Sequence, residues 1–255
     1  MKALILTSNS LRHRYFASAV ARCFNAPTVL MEEKKNYYLQ ERDQSPVVRT
    51  HFEKIAAAEK LWFVDLADVA FPEIHQVSDI NMPDLVTWAA RQGFDVLCLF
   101  GTAILSRHWL DAFPGKIVNL HLGLSPFYRG SATLFWPFVN RELEHLGTTI
   151  HLATPKVDAG EILVRIHSDL RVGETYYDIT SRLIRDSIDQ FPHMVFDYLE
   201  GRIRPTPQED IAGKVYRKAD FTVATLLQAL AYIGEGLTET EMQQIEIRRK
   251  CLCLL

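Results

Sequence analysis

The sequence predicts an α/β fold: a doubly wound, mostly parallel twisted sheet with helices on both faces and a small C-terminal appendage. Three observations carry this. A short apolar run, Lys2–Leu6, breaks at Thr7-Ser8-Asn9-Ser10 into a helical pattern and resumes as a second apolar run at 26–31, a β-turn-α-β opening of the doubly wound kind. Asp95-Val96-Leu97-Cys98-Leu99-Phe100 is continuously apolar after its first residue, as a strand covered on both faces must be. Residues 175–199 form a strong amphipathic helix closed by Gly201.

Taken in order, Ser10 is a plausible N-cap for a helix running to about Phe24. The turn before it holds Ser and Asn where G-x-G-x-x-G would place glycines, which argues against an NAD-dependent dehydrogenase. Residues 32–60 are polar and helical in pattern, with Glu32-Glu33-Lys34-Lys35 a solvated charge run. Leu61-Trp62-Phe63-Val64 has an ambiguous period. Pro83–Gln92 reads as a helix with proline in its first turn and Gly93 as its stop. Phe135, Trp136 and Phe138, in the segment 131–140, form an aromatic stripe of the kind that fills a core. Gly147–Leu152 and Ile162–Ile166 are strands flanking a loop. Past Pro205-Thr206-Pro207 the chain divides into residues 1–204, a catalytic domain, and 205–255, the appendage, with helices over 223–233 and 239–250.

Composition narrows the class. The 255 residues are 48% hydrophobic, enough for a sizeable core, and the net charge is −3, which offers no general attraction for nucleic acid or anionic membrane. Four cysteines, Cys23, Cys98, Cys251 and Cys253, have no metal spacing. No stretch reaches the length of a membrane span, and the first apolar run is a strand rather than a signal peptide. A reducing, cytoplasmic setting fits, with no metal expected.

The chemistry concentrates between 119 and 160. Asn119 and His121 stand at i and i+2 on a segment that begins as a strand, so both side chains share a face. A Gly/Ser/Pro turn follows, which puts the pair at a strand's carboxyl end, where ligands bind in open α/β sheets. Asp158-Ala159-Gly160 comes 37 residues after the histidine. An amide, an imidazole and a carboxylate together can polarise an acyl carbonyl and move a proton at neutral pH. Spacing alone leaves open that His121 is a satisfied core histidine and the following Gly and Pro plain turn chemistry.

The stretch VNLHLGLSPFYRGSATLFWPFVN, followed by GTTIHLATPKVDAGEIL, resembles the catalytic core of the formyltransferase family that uses 10-formyltetrahydrofolate. The resemblance implies that Asn119, His121 and Asp158 occupy the three catalytic positions, with Gly160 and Arg129-Gly130 at the family's flanking positions. Leu124-Ser125-Pro126 departs from the usual Leu-Leu-Pro, with Gly123 at the usual serine. It also implies that Ala103, Ile104 and Leu105 form one wall of a folate pocket, and the loop with Thr154 and Val157 the other. The co-substrate would be 10-formyltetrahydrofolate and the acceptor a primary amine, of closest type an amino-sugar nucleotide. Asn119 would donate to the oxyanion; His121 would share that role as an imidazolium or take the amine proton; Asp158 would support the charged ring or a relaying water.

Competing acceptors are initiator tRNA and glycinamide ribonucleotide. The tail holds six Lys/Arg against seven Asp/Glu, no footprint for RNA, and Ser8-Asn9-Ser10 is a poor phosphate cradle. A formate-releasing hydrolase and a non-catalytic folate binder use the same core; a homodimer is left open. For a sugar nucleotide, Tyr216, Arg217 and Lys218, with Arg129, offer a ring and cations to a base and diphosphate; the plain alternative is a charged surface turn with one buried tyrosine.

Overall fold

The computed structural model describes residues 1–33, 45–67, 74–211, 213–233 and 236–252. Lys34 and Lys35 of the charge run and Cys253 lie outside them, and nothing is described of the Cys251 side chain.

A seven-stranded sheet forms the centre. In chain order its strands are β1 (Ala3–Ser8), β2 (Thr28–Glu32), β3 (Ile74–Val77), β4 (Val96–Leu99), β5 (Ile117–His121), β7 (Gly147–Leu152) and β8 (Ile162–His167). Their spatial order is β3-β2-β1-β4-β5-β7-β8. The first five run parallel; β7 and β8 add an antiparallel edge, so the expected mostly parallel sheet and the hairpin-like pair around Asp158 are both present. A separate parallel pair joins β6 (Tyr128–Gly130) to β9 (Lys214–Tyr216).

Alternation along β1 sends side chains to two cores. Ala3 and Ile5 join one buried cluster, Leu4 and Leu6 the other. The first face is covered by α1 (Leu11–Ala21), α2 (Pro46–Ala67) and α6 (Tyr176–Leu199). The second carries α3 (Pro83–Arg91) and α4 (Arg107–Ala112). Three further α-helices among the described residues are α5 (Trp136–Asn140), α7 (Val223–Ile233) and α8 (Glu239–Leu252).

Several punctuation signals act as their chemistry demands. Pro83 opens α3, and Gly93 sits at φ +69 just past its end. The Asp178 carboxylate accepts the Thr175 N–H at 3.0 Å before α6, and Gly201 follows the helix at φ +71. Ser10 takes the N-cap place of α1, but its Oγ lies 2.5 Å from His13 Nδ1 instead of capping a backbone N–H. The ambiguous 61–64 segment continues α2, because Phe63 buries against Tyr15 while Leu61 and Val64 face out.

The tail is packed into the same core as the sheet. Phe221, Leu226, Ala229, Ile233, Leu237 and Ile245 belong to the first cluster. Gln228 Nε2 donates to Val139 O at 2.9 Å, and Arg248 pairs with Glu144 at 2.9 Å.

Candidate active site

The carboxyl ends of β1, β4 and β5 open into a cleft of about 940 Å³, the sheet edge where this topology places ligands. Asn119 and His121 line it from β5 and Asp158 from the loop between β7 and β8. The pleat turns both β5 side chains to one face, as their spacing requires.

The three groups meet. His121 Nδ1 lies 3.4 Å from Asp158 Oδ2. Its Nε2 lies 2.9 Å from the Tyr128 carbonyl oxygen, which calls for a proton on Nε2. The neutral ring therefore keeps Nδ1, the atom beside Asp158, to take a proton. Asp158 Oδ2 accepts the Gly130 N–H at 2.9 Å. Gly130 itself sits at φ +93, and a Cβ on it would stand 2.2 Å from Tyr216 O.

Electrostatics separates the pair. Burial works against the Asp158 carboxylate, but His121, the His151 ring and the Gly130 N–H outweigh it and hold the carboxyl at about 2. Burial pushes the His121 imidazole below its ordinary value; the Asp158 charge opposes that shift, while His151 adds to it. At neutral pH the resting pair is a carboxylate beside a neutral imidazole, a base with a fixed anion ready to stabilise its conjugate acid.

A fourth member, His151, was not singled out from the sequence. β7 runs antiparallel to β5 with His151 in register with Asn119. Its Nδ1 donates to Leu152 O at 2.8 Å, leaving Nε2 to accept from Asn119 Nδ2 at 3.0 Å. That bond orients the Asn119 amide and leaves its second N–H for a carbonyl oxygen in the cleft. His151 Nε2 also lies 3.7 Å from Asp158 Oδ1. The signal was the register between β5 and β7, which spacing within β5 alone does not contain.

The residues lining the cleft divide into two groups, or lobes, one packed beside the second core cluster and one beside the first. One is apolar, with Leu99, Leu105, Leu110, Ala153 and Val157 around Ala103, Ile104 and Thr154. Ile104 is 75% exposed there, a large apolar side chain open to a flat ligand. The loop is latched from behind: Glu32 accepts the Ala103 N–H at 2.6 Å and the Ile80 N–H at 3.1 Å, and Asn81 Nδ2 donates to Ile104 O at 3.0 Å. Gly160 is not among the lining residues; a Cβ on it would stand 1.7 Å from Leu152 O, so its part is to let two backbones close.

The second lobe is walled by Phe52, Phe135, Tyr176, Tyr177 and Phe221, with Arg12, Glu59 and Lys218 also lining it. Of the four residues expected to hold an acceptor, Lys218 lines the cleft and three do not. Tyr216 stacks on Trp136 at 4.3 Å and on Tyr128 at 5.8 Å, and its hydroxyl accepts from Asn140 at 2.8 Å. Pairing of β9 with β6 is what draws that ring inward. Arg217 is exposed, its N–H donating to Asp220 at 2.6 Å. Arg129 lines a separate, smaller pocket with Lys156 and Gln208.

Residues 20–195 match the family model described as Formyl transferase. The chain belongs to the formyl transferase family. Phosphoribosylglycinamide formyltransferase of Escherichia coli (strain K12) is 28% identical over 131 residues, 51% of this chain and 56% of the relative. Methionyl-tRNA formyltransferase of Bdellovibrio bacteriovorus is 28% identical over 156 residues, 60% of this chain and 46% of the relative. The chain thus spans about half the length of the curated relatives it matches. The formyltransferase PseJ of Anoxybacillus kamchatkensis, solved with UDP-4,6-dideoxy-4-formamido-L-AltNAc and tetrahydrofolate, shares the fold. Its TM-score is 0.52 at 18% identity, covering 93% of this chain and 100% of that one. Among the described residues no helix is long and apolar enough to cross a membrane.

Proposed function

We propose that this member of the family transfers a formyl group from 10-formyltetrahydrofolate to a primary amine, and that the amine is carried by a sugar nucleotide. The observation that carries the transfer is the cluster of Asn119, His121, His151 and Asp158 lining one cleft together with an apolar and an aromatic group of residues. The apolar lobe of 99–105 and 153–157 suits a flat pterin, so the residues present fit the carrier. Asn119 Nδ2 donates to the formyl oxygen as it becomes an oxyanion. The amine attacks the formyl carbon from the second lobe and gives up a proton that His121 takes at Nδ1. Asp158 stabilises the imidazolium, and the proton passes from it to the carrier nitrogen as that nitrogen's bond to the formyl carbon breaks.

The aromatic walls of the second lobe support the sugar-nucleotide acceptor, since sugar and base faces both pack on rings. The fold shared with a protein solved holding such a nucleotide and tetrahydrofolate points the same way. A glycinamide-type phosphate is less well served, because Ser8 Oγ and Ser10 Oγ each lie 2.5 Å from His13 Nδ1, inside the first turn.

The test is a screen of amine acceptors with 10-formyltetrahydrofolate, following release of tetrahydrofolate with and without each amine. Release that requires an amino-sugar nucleotide supports the reading. Release driven by charged tRNA or glycinamide ribonucleotide leaves formyl transfer standing and removes the sugar. Release without any amine replaces the transferase with a hydrolase.

A further inference from the structure

Residues 206–211 and 213–216 are tied at one end to the start of β8, just past Asp158, and at the other to the stretch that follows β5. Ile162 N–H donates to Thr206 O at 2.7 Å, and Thr206 N–H returns a bond to Ile162 O at 2.9 Å. Farther along, Lys214 N–H donates to Phe127 O at 3.1 Å and Ser131 N–H to Tyr216 O at 2.8 Å. Between these anchors, Gln208 Nε2 lies 2.8 Å from Asp158 O and 2.9 Å from Gly160 O. One NH₂ carries two hydrogens, so a single side chain holds two carbonyls of the turn that carries the carboxylate. Ser125 Oγ adds a longer bond to Asp158 O at 3.3 Å.

The turn needs holding. Asp158 sits at φ +47, in the left-handed region that disfavours a residue with a Cβ, and such a conformation persists only where surrounding contacts fix it. Gln208 lines the second pocket and not the cleft, so it reaches the Asp158 backbone from outside the cleft lining.

We propose that Gln208 is a positioning residue for the acyl-transfer centre, its amide fixing the Asp158–Gly160 turn so that the carboxylate stays beside His121 and His151. This rests on the formyl-transfer reading. The groups facing the carboxylate are His121 from β5, His151 from β7 and the Gly130 N–H from β6, and Arg129 adds charge near His121. Loss of the clamp lets the carboxylate swing from all of these without removing any group that meets the substrate.

The experiment compares wild type with Gln208→Met, which keeps the side chain's length and removes both donors. Turnover per folded enzyme is expected to fall roughly 10- to 100-fold, as for a misplaced catalytic group, while KM for the carrier stays within about threefold. The acid limb of the pH–rate profile, set by protonation of the His121 base, should move to lower pH as the Asp158 charge that supports the imidazolium withdraws. Wild-type kcat and pH profile with only a lower melting temperature would overturn the proposal and leave Gln208 a structural tie. If Gln208→Met does not fold, NMR of the wild type decides: slowly exchanging Gln208 NH₂ protons support the clamp, and solvent-like exchange overturns it. If wild type transfers formyl to no amine, the functional reading fails separately. The clamp is then read from the Asp158 carboxyl titration by NMR, where an unchanged midpoint in Gln208→Met overturns it and a raised one supports it.

Discussion

Replacing Asp158 by asparagine preserves the shape of the side chain and removes its charge, and the structure sets the scale of the loss. Asp158 Oδ2 lies 3.4 Å from His121 Nδ1, and both side chains are largely buried. At an effective dielectric near 20, a full charge pair at that separation attracts by about 5 kcal/mol. The imidazole is neutral at rest and gains its charge during proton transfer, so about half of that is present at the transition state, roughly 2–3 kcal/mol. Asp158→Asn should therefore lower kcat by about two orders of magnitude. The assay is tetrahydrofolate release under saturating amine, with tetrahydrofolate affinity measured separately by calorimetry and folding checked by thermal melting. Affinity should change little, because the carboxylate acts on a charge that the bound carrier lacks. A variant with wild-type kcat would refute the reasoning, and so would one whose whole defect lay in carrier binding.

Other substitutions probe the remaining parts. Asn119→Ala should cost about 3 kcal/mol of transition-state stabilisation, roughly a hundredfold in kcat, with carrier affinity nearly intact; steady-state kinetics beside equilibrium binding checks this. Gly160→Ala should cripple turnover or folding, since its Cβ would stand 1.7 Å from the Leu152 carbonyl oxygen; a variant with normal activity and melting temperature would contradict the packing. His51 tests pH dependence: burial, with Lys54 adding, pushes its imidazole down to about 4. The unfolded chain then binds the proton more readily than the folded one between about pH 6.5 and 4, so stability falls on acidification through that window. Denaturant titrations should show His51 contributing a loss of about 2 kcal/mol between pH 7 and 5. His51→Phe, which keeps a ring against Phe221 and Tyr176, should remove that contribution.

The parallel sheet was legible because its strands are short apolar runs punctuated by Gly, Pro and Ser, each with a local physical meaning. Gly93 and Gly201 stop helices in the left-handed region, and Pro83 starts one. β3 was missed because Ile74–Val77 pairs at the sheet's edge through a four-residue stretch with little apolar signal of its own. The site divides in the same way. Asn119 and His121 share a face through local pleat geometry, which sequence spacing encodes. His151 and Gln208 reach the centre through strand register and a returning segment, which spacing does not encode. Tyr216 looked like a ligand platform beside two cations, yet register with β6 turns its ring onto Trp136. Neighbours in sequence were a poor guide to neighbours in space wherever the contact crossed between strands.

The central claim is that one cleft passes a formyl group from carrier to amine. Its most direct measurement uses 10-formyltetrahydrofolate labelled with ¹³C in the formyl group, mixed with the protein and an amino-sugar nucleotide and followed by ¹³C NMR. The account expects the label to move from the carrier to a new formamide resonance on the acceptor, and to do so far more slowly with His121→Ala. Label that emerges as formate at the same rate without acceptor, or that moves as fast with His121→Ala as with wild type, would contradict it.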